Sequence, residues 1–212
     1  MPIICTLLTG DWPDKTKLGE KYVRIAYDSV KKFAPGIDFV CLSDREIEGV
    51  PTLFVRKMPG YCFEKLQLFR HGIFPAGTRV LFMDLDTAIV GPLDPLLTVS
   101  ADVPVFLNDK GPDRTWKDRL GGGLFTFITG PEYYSVWDKF GWQVATDEEW
   151  FALNFGNRWN SWDGLLPGKI MSYKWDVIRH KRPIDDARVI FFHCQPRPHT
   201  VQLPWNPYRP FK

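Results

Sequence analysis

The chain has 212 residues, of which 44% are hydrophobic and 25% charged, with a formal net charge of +2. That suits one globular domain with a sizeable core. It excludes disorder and a broad phosphate-tracking surface for nucleic acid. No apolar run approaches the roughly 18 to 20 residues of a bilayer span, and Met1-Pro2-Ile3-Ile4-Cys5 lacks the basic region and long apolar stretch of a signal peptide. The expectation is a soluble, cytoplasmic protein with no membrane span and no nucleic-acid partner.

Cys5, Cys41, Cys62 and Cys194 form no Cys-x-x-Cys pair, which argues against a thiolate metal site or a disulfide framework. Eight of the nine tryptophans lie from Trp116 onward. Such a bias has two readings, core packing and a surface that stacks on a flat ligand.

In chain order, the apolar run from Ile3 to Thr9 predicts a buried strand closed by Gly10-Asp11-Trp12-Pro13. Leu18, Tyr22, Ile25, Ala26, Ser29 and Phe33 recur at helical spacing over Lys17 to Phe33, and Pro35-Gly36 ends the pattern. Strands follow at Ile37 to Leu42 and Thr52 to Val55, a short helix at Phe63 to Phe69, and a strand at Thr78 to Met83. Val80, Leu81, Phe82 and Met83 show no polar alternation, as in a strand covered on both faces. Further strands are predicted at Val103 to Leu107, Leu124 to Thr129 and Arg188 to His193. Helices are predicted at Pro131 to Phe140, with proline in the first turn, and at Asp147 to Asn154, with acids at the start. The order of elements predicts an α/β fold with a mostly parallel central sheet flanked by helices. From Pro196 onward, five prolines and no periodicity predict an irregular tail whose Trp205, Tyr208 and Phe211 pack on the body.

The most informative segment is LFMDLDTAIV, residues 81–90. Asp84 and Asp86 stand two residues apart where a buried strand emerges, and ligand sites of open α/β sheets lie at the carboxyl ends of strands. Two like charges this close need a cation between them or a donor for each. A divalent ion with hard oxygen ligands, Mn²⁺ or Mg²⁺, meets that need and brings a phosphate-bearing substrate with it. The alternative is a solvated turn with two incidental acids.

Haloacid-dehalogenase-like phosphatases also carry an Asp-x-Asp, which would make Asp84 a nucleophile. Their pair sits near the chain start, whereas here two or three strands precede it. Ala88 replaces their Thr or Val, and Asp185-Asp186 precedes an apolar strand where that family has an acidic cluster after one.

The segment resembles more closely the metal-binding strand end of GT-A-fold nucleotide-sugar glycosyltransferases, in particular the glycogenin-like and lipopolysaccharide-hexosyltransferase-like group, family eight. GGGLFTFITG (121–130) is similar to the small-residue turn and strand beneath the sugar, and DEEWFALNFGN (147–157) to the acidic helix start. FEKL (63–66) resembles the element whose lysine contacts the donor, and the His of RVIFFHCQPRPH (188–199) stands in the place of a late metal-ligand histidine. The resemblance runs from the first strand to His193. It departs after that histidine, where Arg197-Pro198 stands for the group's Lys-Pro at shorter spacing and His199 competes for the same contact. The group's Asn before Gly121-Gly122-Gly123 is also missing.

The resemblance implies a single GT-A (Rossmann-like) domain over residues 1–212. Within it, residues 1–107 form the nucleotide-binding half, 108–195 the acceptor side and 196–212 the irregular tail. It implies transfer of a sugar from a nucleoside-diphosphate sugar, with uridine as the base, to a hydroxyl of a glycan or glycoconjugate; the resemblance favours retention of configuration, whereas a base at Asp147 or Glu148 would suit inversion. Asp84, Asp86 and His193 would hold the metal. Thr6, Leu7, Leu8 and Thr9 would wall the nucleotide and Tyr22 would stack on its base. Lys65 and Arg197 would meet the diphosphate, with Leu85, Gly122 and Gly123 also against the donor. Asp147 and Glu148 would accept from sugar hydroxyls or act as base. Trp116, Trp159 and Trp162 are candidates for stacking on acceptor sugar. A non-catalytic sugar- or nucleotide-binding module on the same fold is the competing reading.

Overall fold

A computed structural model describes residues 1–10, 18–58, 63–100, 102–108, 119–141, 144–192 and 195–208. The first apolar run forms β1 (Ile3–Leu8), and it is joined through α1 (Leu18–Phe33) to β2 (Asp38–Ser43). Tyr22, Val23, Ala26 and Val30 are the buried stripe of α1, and Gly36, at φ +83°, turns the chain after Pro35. Then come β3 (Thr52–Phe54), a 3-10 turn at Phe63–Phe69 and β4 (Arg79–Met83). Along β4 the side chains divide by parity. Leu81 and Met83 join the core under α1, and Val80 and Phe82 join the core on the opposite face. That division is why the strand shows no polar alternation.

The chain continues through β5 (Thr87–Ile89), α2 (Asp94–Thr98), β6 (Val105–Asn108), β7 (Leu120–Ile128), α3 (Pro131–Asp138) and α4 (Asp147–Phe155). It ends with β8 (Asn160–Ser161), α5 (Trp162–Leu165), β9 (Ile170–Ser172), a π-helical turn at Tyr173–Arg179 and β10 (Val189–Phe191). The main sheet has the order β3-β2-β1-β4-β7-β6-β8. β1 to β4 are mutually parallel, β7 runs antiparallel to both β4 and β6, and β8 is parallel to β6. A second sheet, β5-β10-β9, lies with α1 on one face. On the other face Phe69, Phe82, Phe106, Phe125, Phe127, Phe151 and Phe155 pack ring against ring, with α4 and the 3-10 turn closing over them.

One predicted element is corrected. Gly121, Gly122 and Gly123 were expected in a turn ahead of a strand starting at Leu124, but they lie inside β7. Phe106 faces Phe125 while the next residue, Leu107, faces Gly121, so residues 122–124 bulge from the ladder with β6. Without side chains these glycines keep strand conformation while polar groups from other elements press against them. The described part of the tail, residues 196–208, is irregular apart from a 3-10 turn at Pro198–Thr200, and its Tyr208 is buried in the core under α1.

Candidate active site

The carboxyl end of β4 carries Asp84, whose N–H donates to Gly123 O at 2.8 Å across the bulge. Its Oδ2 accepts from Lys65 Nζ at 3.1 Å. Lys65 rises from the 3-10 turn beneath the sheet, 8% exposed in its side chain, and also donates to Gly122 O at 3.2 Å. The same ammonium lies 3.2 Å from Asp147 Oδ2. That contact compensates charge without the angles of a hydrogen bond, so the oxygen is buried with no donor aimed at it. Lys65 therefore binds together three separate elements, β4, β7 and the first turn of α4.

Gly122 is needed at the centre of this group. A Cβ there would stand 2.7 Å from Asp147 Oδ2, and the Gly122 N–H donates to Glu148 Oε1 at 3.2 Å. The other Glu148 oxygen is 3.7 Å from Arg119 Nη2, and 29% of that side chain remains exposed. A Cβ on Gly123 would touch Asp84 Oδ2 at 3.4 Å.

Asp86 is neutralised from a different direction. Arg197 of the tail donates from Nη1 to Asp86 Oδ2 at 2.9 Å, and Asp86 O accepts the Phe192 N–H at 3.1 Å. The carbonyls on either side, Leu85 O and Thr87 O, both lie 3.0 Å from the buried Tyr208 hydroxyl. The aspartate pair thus has a donor for each member, one of the two provisions its spacing requires. Burial pushes the Asp84 carboxyl up to about 7 against the pull of Lys65, with Asp86 and Asp147 adding repulsion. Burial also raises Asp86, offset by Arg197.

Several predicted roles are corrected by packing. Tyr22 cannot stack on a base, because its ring is fully buried 4.6 Å from that of Tyr208 and its hydroxyl is 2.6 Å from His199 Nδ1. The tail folds onto α1 and covers it. Trp162 is a core residue, 1% exposed, with Nε1 donating to Leu124 O at 3.2 Å. Trp159 is half-buried with its ring edge-on to Phe106. Trp116 and His193 lie outside the described residues. Lys65 is held by carboxylates under the sheet and presents no free ammonium to a diphosphate. Asp147 is buried against it, which leaves Glu148 as the water-accessible member of the acidic pair. Leu85 has its side chain in the core. Leu7 and Thr9 are half-buried at the end of β1, Leu8 is core, and Thr6 Oγ1 is buried without a hydrogen-bond partner.

Sequence reasoning missed Arg119 and the clamp by Tyr208. Nothing in the spacing connects Arg119 to Glu148. The burial of an aromatic in a proline-rich tail was foreseeable, but its target was not.

No protein-family model matches the sequence, and no curated protein matches it. Solved structures do match. The glycosyltransferase GlyE of Streptococcus pneumoniae superposes with a TM-score of 0.66 at 11% identity over 96% of this chain. The galactosyltransferase LgtC, solved with donor and acceptor sugar analogues, gives 0.56 at 13% over 93% of this chain and 89% of its own. Mouse xyloside xylosyltransferase 1 gives 0.54 at 12% over 92% of this chain and 98% of its own. The fold is GT-A. This chain spans 57% of the GlyE chain. At such identities the likeness is one of architecture. Among the described residues no helix is long and apolar enough to cross a membrane. Among them, too, no group of three His, Cys, Asp or Glu is placed to hold a metal ion. Asp84 and Asp86 supply two such residues. Their carboxylate oxygens are the hard donors a divalent ion requires, and each now faces a cationic side chain whose charge opposes such an ion.

Proposed function

We propose that this chain is a metal-dependent glycosyltransferase that moves a sugar from a uridine-diphosphate sugar to a hydroxyl of a glycan or glycoconjugate. The observation that carries the reading is the paired carboxylate turn after β4, beside β1 in a GT-A sheet, with the glycine bulge of β7 against it. Asp84 and Asp86 would hold Mn²⁺ or Mg²⁺ together with His193. The Phe192 N–H to Asp86 O bond ties the end of β10 to this turn, and the histidine's part rests on the family-eight resemblance. When bound, the ion supplies Lewis-acid neutralisation of the charge that the leaving diphosphate gains.

The chain's own residues provide the rest. Leu7 and Thr9, half-buried at the end of β1, line the nucleotide side, with the buried Thr6 behind them. Gly122 and Gly123 let the donor sugar approach the backbone closely. Lys65 sets the position of Asp84 and Asp147 rather than touching phosphate. Glu148, hydrogen-bonded to Gly122 and accessible to water, is the carboxylate that receives a hydroxyl proton or orients the acceptor. Arg197 is the cation nearest the carboxylate turn from the tail, suited to the diphosphate. Retention of configuration rests on the family-eight resemblance, and product NMR decides it.

A panel of nucleotide sugars, scored for Mn²⁺-dependent hydrolysis and for thermal stabilisation, tests the reading. UDP-sugars should stabilise the protein with metal and be consumed. Stabilisation with the donor left intact, in the presence of plausible acceptors, would make this a binding module. No response to any nucleotide sugar would refute the proposal.

A further inference from the structure

The two acidic residues of the site are neutralised very differently. Lys65 is enclosed beneath the sheet and engaged with Asp84, Asp147 and Gly122 at once, so it cannot leave without leaving buried charge behind. Arg197 comes from the irregular tail, and its side chain is 25% exposed against 19% for Asp86. Its main chain is anchored independently of that contact. Arg197 O accepts from Thr200 N and Oγ1 at 3.0 and 2.8 Å, and Asn206 Nδ2 holds Pro198 O at 2.7 Å. Prolines on both sides, Pro196 and Pro198, restrict the backbone further. The tail's position therefore does not depend on where the guanidinium points.

We propose that Arg197 is the resident cation of the metal site: it occupies Asp86 in the metal-free protein and yields that carboxylate to the divalent ion, turning to the diphosphate. This rests on the proposed function. The guanidinium N–H occupies Asp86 Oδ2 at 2.9 Å, so an ion that binds through that oxygen must displace it or share the carboxylate with a second positive charge. Once displaced, a planar fork of donors within side-chain reach of the carboxylate turn gains a phosphate partner, with which it bonds strongly. Metal alone must then bind against the loss of an ion pair, whereas metal with nucleotide restores a partner to every charge. The coupling is reciprocal, so nucleotide tightens metal as much as metal tightens nucleotide.

The test is calorimetric titration of the whole chain with MnCl₂ alone, and of UDP into protein saturated with Mn²⁺, for wild type, Arg197→Ala and Arg197→Met. The second variant keeps the hydrophobic stem should the first disturb the tail. Both should bind Mn²⁺ alone about tenfold tighter, the worth of one charge-assisted hydrogen bond. The gain should persist in 0.5 M KCl, which would screen a merely long-range repulsion. Both should bind UDP about tenfold more weakly at saturating Mn²⁺. A structural role alone would weaken both ligands together. Unchanged or weaker Mn²⁺ binding in variants that melt like wild type overturns the exchange and leaves the metal site standing. Wild-type protein that binds no Mn²⁺ even with UDP overturns the metal site itself, and the exchange with it.

Discussion

Replacing Lys65 with methionine isolates what holds the site together. The ammonium is 8% exposed and lies within 3.2 Å of two carboxylate oxygens, of which Asp147 is 5% exposed and Asp84 is 35% exposed. Methionine keeps an apolar stem of similar length and removes only the ammonium, which also sits 5.5 Å from the Phe82 ring centroid, so the loss is electrostatic. Removing one partner of a buried ion pair costs about 3–5 kcal/mol because the other charge is left uncompensated. Partial solvation of Asp84 discounts that to the lower end, about 3 kcal/mol at pH 8. The penalty must also depend on pH. Asp84 already has its carboxyl raised to about 7 with Lys65 present, and losing Lys65 raises it further. A carboxyl whose folded value lies above its unfolded one stabilises fully below the unfolded value, and that contribution disappears as pH rises through the folded one. Lys65→Met should therefore lose less at pH 5.5 than at pH 8, by the share that Asp84 contributes. Urea unfolding followed by tryptophan fluorescence at the two pH values measures this. A loss under about 1 kcal/mol at pH 8 would refute the argument that Lys65 compensates buried charge, and a loss equal at both pH values would remove Asp84 from it.

Gly122→Ala places a methyl 2.7 Å from a carboxylate oxygen that Lys65 prevents from moving, and should cost about 1–3 kcal/mol and most of the UDP affinity. Gly123→Ala, with contacts of 3.4 and 3.5 Å, should cost markedly less, and thermal melts of the pair compare them directly. Tyr208→Phe removes the hydroxyl that faces Leu85 O and Thr87 O. It should lower stability by about 1 kcal/mol and weaken Mn²⁺-dependent UDP binding, as read by denaturation and calorimetry. Asp86→Ala should keep the fold and lose metal-dependent donor binding. Unchanged UDP affinity in Mn²⁺ would remove the metal from the reading. EDTA should abolish wild-type activity and Mn²⁺ restore it.

Much of this architecture is legible in one dimension because it rests on local periodicity. β1, α1, β2, β4 and α4 lie within a residue or two of where apolar spacing and acidic helix starts place them. Asp84 and Asp86 stand out by their position after a four-residue apolar run, which no tertiary contact is needed to see. The glycine run was misplaced because three glycines in a row carry the signature of a turn, and only the pairing with β4 and β6 makes them a bulged strand. The short strands and turns from β8 to the π-helical segment went unseen for a similar reason. Two or three residues hold no period, and their shape comes from the neighbours they pair with.

Burial accounts for two of the clustered tryptophans. Trp150 and Trp162 are core residues whose indole N–H groups donate to Val136 O and Leu124 O, so packing accounts for them. An aromatic on the first helix after a strand end can face a ligand, yet whether Tyr22 does depends on a tail residue 177 positions away. By itself the sequence determined the α/β class, the carboxylate pair and the acidic start of α4, because each is written in neighbouring residues. Only the tertiary structure decided which cation serves which acid. Lys65, Asp84, Gly122, Asp147 and Arg197 meet through long-range pairing of strands and the docking of an aperiodic tail, and no local pattern encodes that meeting.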